Sequence, residues 1–247
     1  MQNLYIKYYP PIVVAKYFFA DNFRRKIFSY LRTVFSIMQF YPIDKWINWV
    51  DQLANDDYLI IDEFLSENLF REVSRYLHEQ LDNHDFKKAG IGALNEYQIK
   101  SSIRGDFVYW LDKKQDVKIG ELFNLIEDII SMLNRLCFLN LSGYEFHLAH
   151  YPSGSFYKKH FDQFKERSNR IITIIIYLNE NWHAGDGGEL KVYLDQDRSV
   201  NIEPYKNRCV IFKSDMLAHE VLLTNKSRYS LTGWLLHQPS TLGYLLG

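Results

Sequence analysis

His160-Phe161-Asp162 places an imidazole and a carboxylate two residues apart. On a β-strand that spacing turns both groups to one face and Phe161 away from it. His219 lies well downstream, at the head of another predicted strand. Two histidines and one carboxylate form the facial set that holds a non-haem ferrous ion and leaves neighbouring positions for substrate and O2. The same three ligands suit a catalytic zinc.

A second group narrows the chemistry. Arg228 follows His219 across the turn Asn225-Lys226-Ser227, so the two are expected on paired strands of one hairpin. Alternation then gives Arg228, Ser230, Thr232 and Trp234 one common face. On the run from Ile171, one face carries Ile171, Thr173, Ile175 and Tyr177, while Ile172, Ile174, Ile176 and Leu178 are wholly apolar and should meet the core. The rigid donor fork of an arginine matches a carboxylate bidentately, and the Tyr177 hydroxyl can add a donor to the same carboxylate. Taken singly, Arg228 would read as a sheet-edge charge and Tyr177 as a core ring. Together with the triad they describe a cavity for a metal-chelating dicarboxylate.

Strands must carry these residues. From Gly143 onward short β-rich runs follow one another: Tyr144 to Tyr151, Ile171 to Leu178, Leu190 to Leu194, Arg208 to Phe212, Glu220 to Leu223 and Tyr229 to Leu236. Turn clusters at Pro152-Ser153-Gly154, Gly185-Asp186-Gly187-Gly188 and Asn225-Lys226-Ser227 divide them, which predicts an antiparallel sandwich or jelly roll. Ahead of it, the spacing predicts a short strand over Tyr58 to Ile61. A helix introduced by Ser66 follows, with Leu69, Phe70, Val73, Leu77 and Leu81 on one face, and a second after Gly120 has Leu122, Ile126, Ile129, Leu133 and Leu136.

The 247 residues hold 29 Lys+Arg against 30 Asp+Glu, a balance unlike the strongly basic domain of a nucleic-acid binder. The balance is uneven along the chain. Residues 1–50 carry seven basic and two acidic side chains, which leaves a net charge of −6 for the rest. Asp21 is a candidate N-cap for a basic amphipathic helix with the stripe Phe23, Ile27, Leu31, Val34, Phe35 and Met38. Such a helix either docks on the main domain or contacts a partner or membrane surface. No export signal and no run long enough to span a bilayer is present, and two cysteines are too few for a disulfide scaffold, so the expected location is cytoplasmic.

The runs His150-Tyr-Pro-Ser-Gly-Ser-Phe-Tyr-Lys-Lys-His160-Phe-Asp162, Ile176-Tyr-Leu-Asn179, Gly187-Gly-Glu-Leu190, His219-Glu-Val221 and Arg228-Tyr-Ser-Leu-Thr-Gly-Trp234 occur in that order. With Ile60-Ile-Asp-Glu-Phe-Leu65, Ile103-Arg-Gly-Asp106 and Trp110-Leu-Asp112 upstream, they resemble the 2-oxoglutarate and Fe(II)-dependent prolyl hydroxylase family. The likeness is to bacterial members related to the oxygen-sensing prolyl hydroxylases, over roughly residues 57–237. It implies a mainly β fold with α, a double-stranded β-helix (jelly roll) core flanked by N-terminal helices. The domain would span 56–247 behind a basic, aromatic-rich helical extension, 1–55.

The resemblance also assigns roles. His160, Asp162 and His219 would bind Fe(II), which zinc could not replace in redox chemistry. Arg228 and Tyr177 would hold the distal carboxylate of 2-oxoglutarate, with Tyr151, Thr173 and Trp234 lining its pocket; His147 shares the parity of Tyr151. Arg170, Arg104 and Asp106 match places where relatives meet a target proline. The implied reaction hydroxylates a prolyl residue of a protein substrate, consumes O2 and releases succinate and CO2, with ascorbate as an accessory reductant. Two other readings stand beside it: the same chemistry on a free amino acid or other small molecule, and a non-catalytic jelly-roll metal-binding or regulatory protein.

Overall fold

The computed structural model describes residues 40–90, 102–163 and 169–237, so the basic stretch 21–38 and its expected contacts lie outside the described residues. The elements run α1 (Ile43–Asp56), β1 (Tyr58–Ile61), α2 (Glu67–Asp82), β2 (Lys87–Lys88), β3 (Phe107–Trp110), a 3-10 turn (Val117–Ile119) and α3 (Gly120–Cys137). Then come β4 (Gly143–Tyr151), β5 (Tyr157–His160), β6 (Arg170–Tyr177), β7 (Leu190–Tyr193), β8 (Ser199–Ile202), β9 (Cys209–Lys213), β10 (Ala218–Val221) and β11 (Arg228–Leu236). Two antiparallel sheets form, a seven-stranded one in the order β1-β9-β6-β11-β4-β3-β2 and a four-stranded one in the order β5-β10-β7-β8. This is the mixed, helix-flanked jelly roll expected.

Alternation along β6 explains the layering. Ile172, Ile174, Ile176 and the following Leu178 point to one side, where they join Phe146, Leu148, Leu231 and Leu235 and the apolar stripes of the helices. Fully burying each such side chain contributes about 1.5–3 kcal/mol. Ile175 and Tyr177 point the other way, into a second cluster with Tyr151, Val192, Val210 and Phe212 between the sheets. Ile171 departs from the expected parity. The register with β11 shifts between Leu235 and Leu236, which pairs Leu236 with Arg170. The extra residue of this bulge sends Ile171 to the helix side and leaves the Arg170 guanidinium over Trp234 on the inner face.

The helices form for local reasons. The Ser66 hydroxyl accepts the Leu69 N–H at 3.2 Å and caps α2, and Leu69, Phe70, Val73 and Leu77 are buried. In α3 the buried stripe includes Leu122, Ile126, Ile129 and Leu133. Helix α1 contributes Ile43, Trp46, Val50 and Leu53 to the same core, so packing is continuous across residues 55 and 56. No helix among the described residues is long and apolar enough to cross a membrane.

One expected pairing is corrected. His219 on β10 and Arg228 on β11 are not hairpin neighbours, because β10 pairs with β5 and β7 while β11 pairs with β4 and β6. The intervening chain crosses from one sheet to the other, held by Gly154 N–H to Thr224 C=O at 2.8 Å and Gly188 N–H to Leu223 C=O at 3.0 Å. Gly187 allows that crossing. Its φ is +76°, and a Cβ there would meet the Leu223 carbonyl oxygen at 2.3 Å. Arg228 therefore faces the triad's sheet from the opposite sheet.

Candidate active site

His160 closes β5 and His219 sits within β10, and the antiparallel register places the two directly opposite each other. Their ring centroids are 4.3 Å apart. Asp162 lies just beyond the end of β5, yet its carboxylate reaches both rings: Oδ1 is 3.6 Å from His160 Nε2 and Oδ2 is 3.6 Å from His219 Nε2. One ligand atom from each residue lies within 4.8 Å of the other two. Phe161 points away, half-exposed. The Nδ1 atoms contact backbone oxygens, His160 to Lys158 at 2.7 Å and His219 to Leu217 at 3.2 Å. A carbonyl only accepts, so Nδ1 carries the hydrogen and a neutral ring keeps its Nε2 lone pair for a metal.

Electrostatics match that state. Burial, reinforced by His219, pushes the His160 pKa down to about 3, so the ring is neutral near pH 7. Burial alone would raise Asp162, but His219, His160 and the Trp234 and Thr173 donors outweigh it and hold the carboxyl below its usual range. Thr173 donates to Asp162 Oδ2 at 2.8 Å and also meets Ser214 Oγ at 2.8 Å. Thr173, expected in the cosubstrate pocket, also holds the Asp162 carboxylate through this bond. Ser214, just past the end of β9, is fully buried and was signalled by no motif.

On the facing sheet Arg228 pairs across strands with Tyr151, while Ser230, two residues on, pairs with Tyr177. The guanidinium carbon lies 5.0 Å from the Tyr151 ring centroid and 4.9 Å from that of Tyr177. Arg228 is 1% exposed, its Nε donates to the Gly188 carbonyl at 2.9 Å, and among the described residues no carboxylate pairs with it. The Tyr177 hydroxyl is buried without a hydrogen-bond partner of normal geometry among the described residues. A buried, unpaired cation beside an unsatisfied hydroxyl is costly alone, and a carboxylate between them would satisfy both. The residues present therefore fit a dicarboxylate cosubstrate as they fit a metal.

The inner face continues through Trp234, paired with Thr173 on one side and Glu145 on the other. Arg170 stacks its guanidinium 3.4 Å over the Trp234 ring and donates to Glu145 at 2.8 Å. His147 lies between Trp110 and Trp234, at centroid distances of 4.8 and 5.5 Å, with Nδ1 buried and without a hydrogen-bond partner among the described residues. Arg104 and Asp106 bind each other through two parallel bonds, Nε to Oδ1 at 2.7 Å and Nη2 to Oδ2 at 2.5 Å. Arg104 also covers the Tyr157 ring, which stacks on His160 at 3.7 Å. Tyr157, Glu145 and Trp110 lie outside the residues picked out as chemical by spacing, because aromatic and acidic side chains are too common in this sequence to stand out.

Two imidazoles and a carboxylate on one sheet of a jelly roll, facing a buried arginine on the other, define the class of mononuclear iron enzymes that use a keto-diacid. The 2OG-Fe(II) oxygenase superfamily model matches residues 146–236. A prolyl-4-hydroxylase structure from Pseudomonas putida is 30% identical with a TM-score of 0.71, covering 78% of this chain and 99% of that one. A Trichoplax adhaerens prolyl hydroxylase, solved with a hypoxia inducible factor oxygen degradation domain peptide fragment, is 26% identical with a TM-score of 0.71, covering 81% of this chain and 94% of that one. Rat Egl nine homolog 1 is 31% identical over 190 residues, 71% of this chain and 54% of that protein. The chain spans about half the length of that relative. The chain belongs to the 2OG-Fe(II) oxygenase superfamily and is a homologue of its prolyl hydroxylases. Fe(II) and 2-oxoglutarate are the cofactor and cosubstrate of this family, and His160, Asp162 and His219 are the metal set.

Proposed function

We propose that the protein hydroxylates a prolyl residue of a protein substrate, consuming O2 and 2-oxoglutarate and releasing succinate and CO2. The observation that carries the reading is Arg228, buried without a carboxylate partner among the described residues across the sandwich from His160, Asp162 and His219, in a chain related to prolyl hydroxylases from both a bacterium and animals. When bound, ferrous iron with 2-oxoglutarate supplies the O2 activation that converts a C–H bond of the target to C–OH. The chain's own residues prepare for it. His160 and His219 present Nε2 lone pairs, and Asp162 is ionised and oriented by Thr173. Arg228 and Tyr177 hold the distal carboxylate of 2-oxoglutarate. Tyr151 and Trp234 wall the pocket and exclude water from it. Arg170 stacks on Trp234 and donates to Glu145, and we assign it to the contact with an incoming protein segment.

The test uses the purified full chain with Fe(II), 2-oxoglutarate and O2, scored for succinate and for a one-oxygen mass increase on candidate proteins. The expected result is succinate formation that requires all three and an added oxygen on prolyl residues. Oxygen added only to other residues, or only to free amino acids, would overturn the prolyl assignment. No 2-oxoglutarate binding or turnover would overturn the enzymatic one.

A further inference from the structure

The three metal ligands are not equally supported by their own strands. His219 lies in β10, between two paired strands, and its side chain is 5% exposed; Asp162 is 6% exposed and bonded to Thr173. His160 ends β5, the edge strand of the four-stranded sheet, and is 18% exposed. An edge strand of four residues leaves one row of its backbone groups outside the sheet's own ladder. Residues 103–105 cover its free side: Lys158 donates to Ile103 C=O at 2.9 Å, Gly105 donates to Phe156 C=O at 3.0 Å, and Arg104 forms a bridge with Tyr157.

We infer that Arg104, Asp106 and Tyr157 form a brace that sets the orientation of His160 and thereby the metal affinity of the site. This rests on the metal reading of the triad. Asp106, wholly buried, fixes the Arg104 guanidinium by a bidentate pair. Arg104 also donates to Gly90 C=O at 3.3 Å. Its guanidinium carbon lies 4.2 Å from the Tyr157 ring centroid. Tyr157 in turn lies on His160 with centroids 3.7 Å apart and planes 19° from parallel. The Nδ1 contact with Lys158 C=O directs Nε2 along one axis, and the Tyr157 face fixes the plane of the ring about that axis. Both arms of the ion pair are spent on this stack. Arg104 and Asp106 therefore act on the metal site as positioning residues. Groups behind a metal ligand commonly change affinity by roughly 10- to 100-fold when removed.

Co(II) is the probe, titrated into the full chain and followed by its visible absorption, with circular dichroism as the folding control. Tyr157→Leu and Asp106→Asn are each expected to weaken Co(II) binding by about 10- to 100-fold and to alter the absorption bands. Tyr157→Phe keeps the ring face and is expected to match the wild type. A folded Tyr157→Leu or Asp106→Asn variant with wild-type affinity and spectrum would overturn the brace, and so would an equal loss in Tyr157→Phe. A wild-type chain that takes up no Co(II) would overturn the metal reading along with it.

Discussion

On β6, Ile172, Ile174 and Ile176 face the helices while Thr173 and Tyr177 face the four-stranded sheet, and β11 divides the same way, with Leu231 and Leu235 outward and Arg228, Ser230 and Trp234 inward. The outward positions of these strands are apolar and closely packed. The inward positions hold buried polar groups, of which the Tyr177 hydroxyl and the His147 Nδ1 lack a hydrogen-bond partner of normal geometry among the described residues. Each unsatisfied group costs about 1–3 kcal/mol. Burial on the helix side stabilises a sheet whose other face carries the buried polar groups. Stability and chemistry are thus separated by strand parity, one residue apart along the same strands, and substitutions can test that separation.

The largest effect is expected at the triad. His219→Ala should abolish both Co(II) uptake and succinate formation while leaving the melting profile of the metal-free protein close to wild type, since the helix-side core is untouched. Substantial retained uptake would show that His219 is not a ligand. Arg228→Leu should act next most strongly. Loss of one partner of a buried charge pair costs about 2–5 kcal/mol, which corresponds to roughly 30-fold to several-thousand-fold weaker 2-oxoglutarate binding at 1.36 kcal/mol per tenfold. The same change removes a buried charge that has no carboxylate partner among the described residues, so without ligand the variant should melt at or above the wild-type temperature. Isothermal titration and a thermal melt check the two halves, and unchanged affinity would remove Arg228 from the cosubstrate site. Ile174→Ala probes the other face: it should cost about 2–5 kcal/mol of unfolding free energy with Co(II) affinity of the folded protein unchanged. A parallel fall in affinity would mean that the two faces are coupled.

The strands that hold Arg228 and Tyr177 were legible because both their faces are patterned. In β6 and β11 an uninterrupted apolar set alternates with a set containing the polar groups. The strand that carries His160 was not. In Tyr157–His160 two exposed lysines occupy the middle, and within its sheet the strand pairs with β10 alone, so no apolar period marks it. β8 is an edge strand too, and β2 is only two residues long. The triad could be read from residue types and order, whereas its support could not. Ser214 behind Thr173, and Tyr157 with Arg104 behind His160, are brought together by register between distant segments, which leaves no local spacing to detect. The bulge at Ile171 is of the same kind. Parity read along one strand cannot see that its partner slips by one residue, and that slip places Arg170 on the inner face.

The smallest predicted effect concerns His147, a neutral imidazole on the inner face. Burial, then the positive charges of Arg104 and Arg170, push its pKa down to about 3 against the pull of Asp106 and Asp162. In the unfolded chain a histidine titrates near 6.5. Between those two values the unfolded state binds the extra proton, so stability falls as the pH is lowered through that window, by up to about 1.4 kcal/mol per pH unit for this one group. His160 is shifted in the same direction and adds to the slope. His147→Phe keeps a flat ring between Trp110 and Trp234 and removes one of these contributions. Urea midpoints of the metal-free protein measured from pH 7 to pH 5 should therefore fall less steeply in the variant than in the wild type. Equal slopes would mean that His147 is not held neutral, and that the inner face carries less of the acid sensitivity than its buried histidines require.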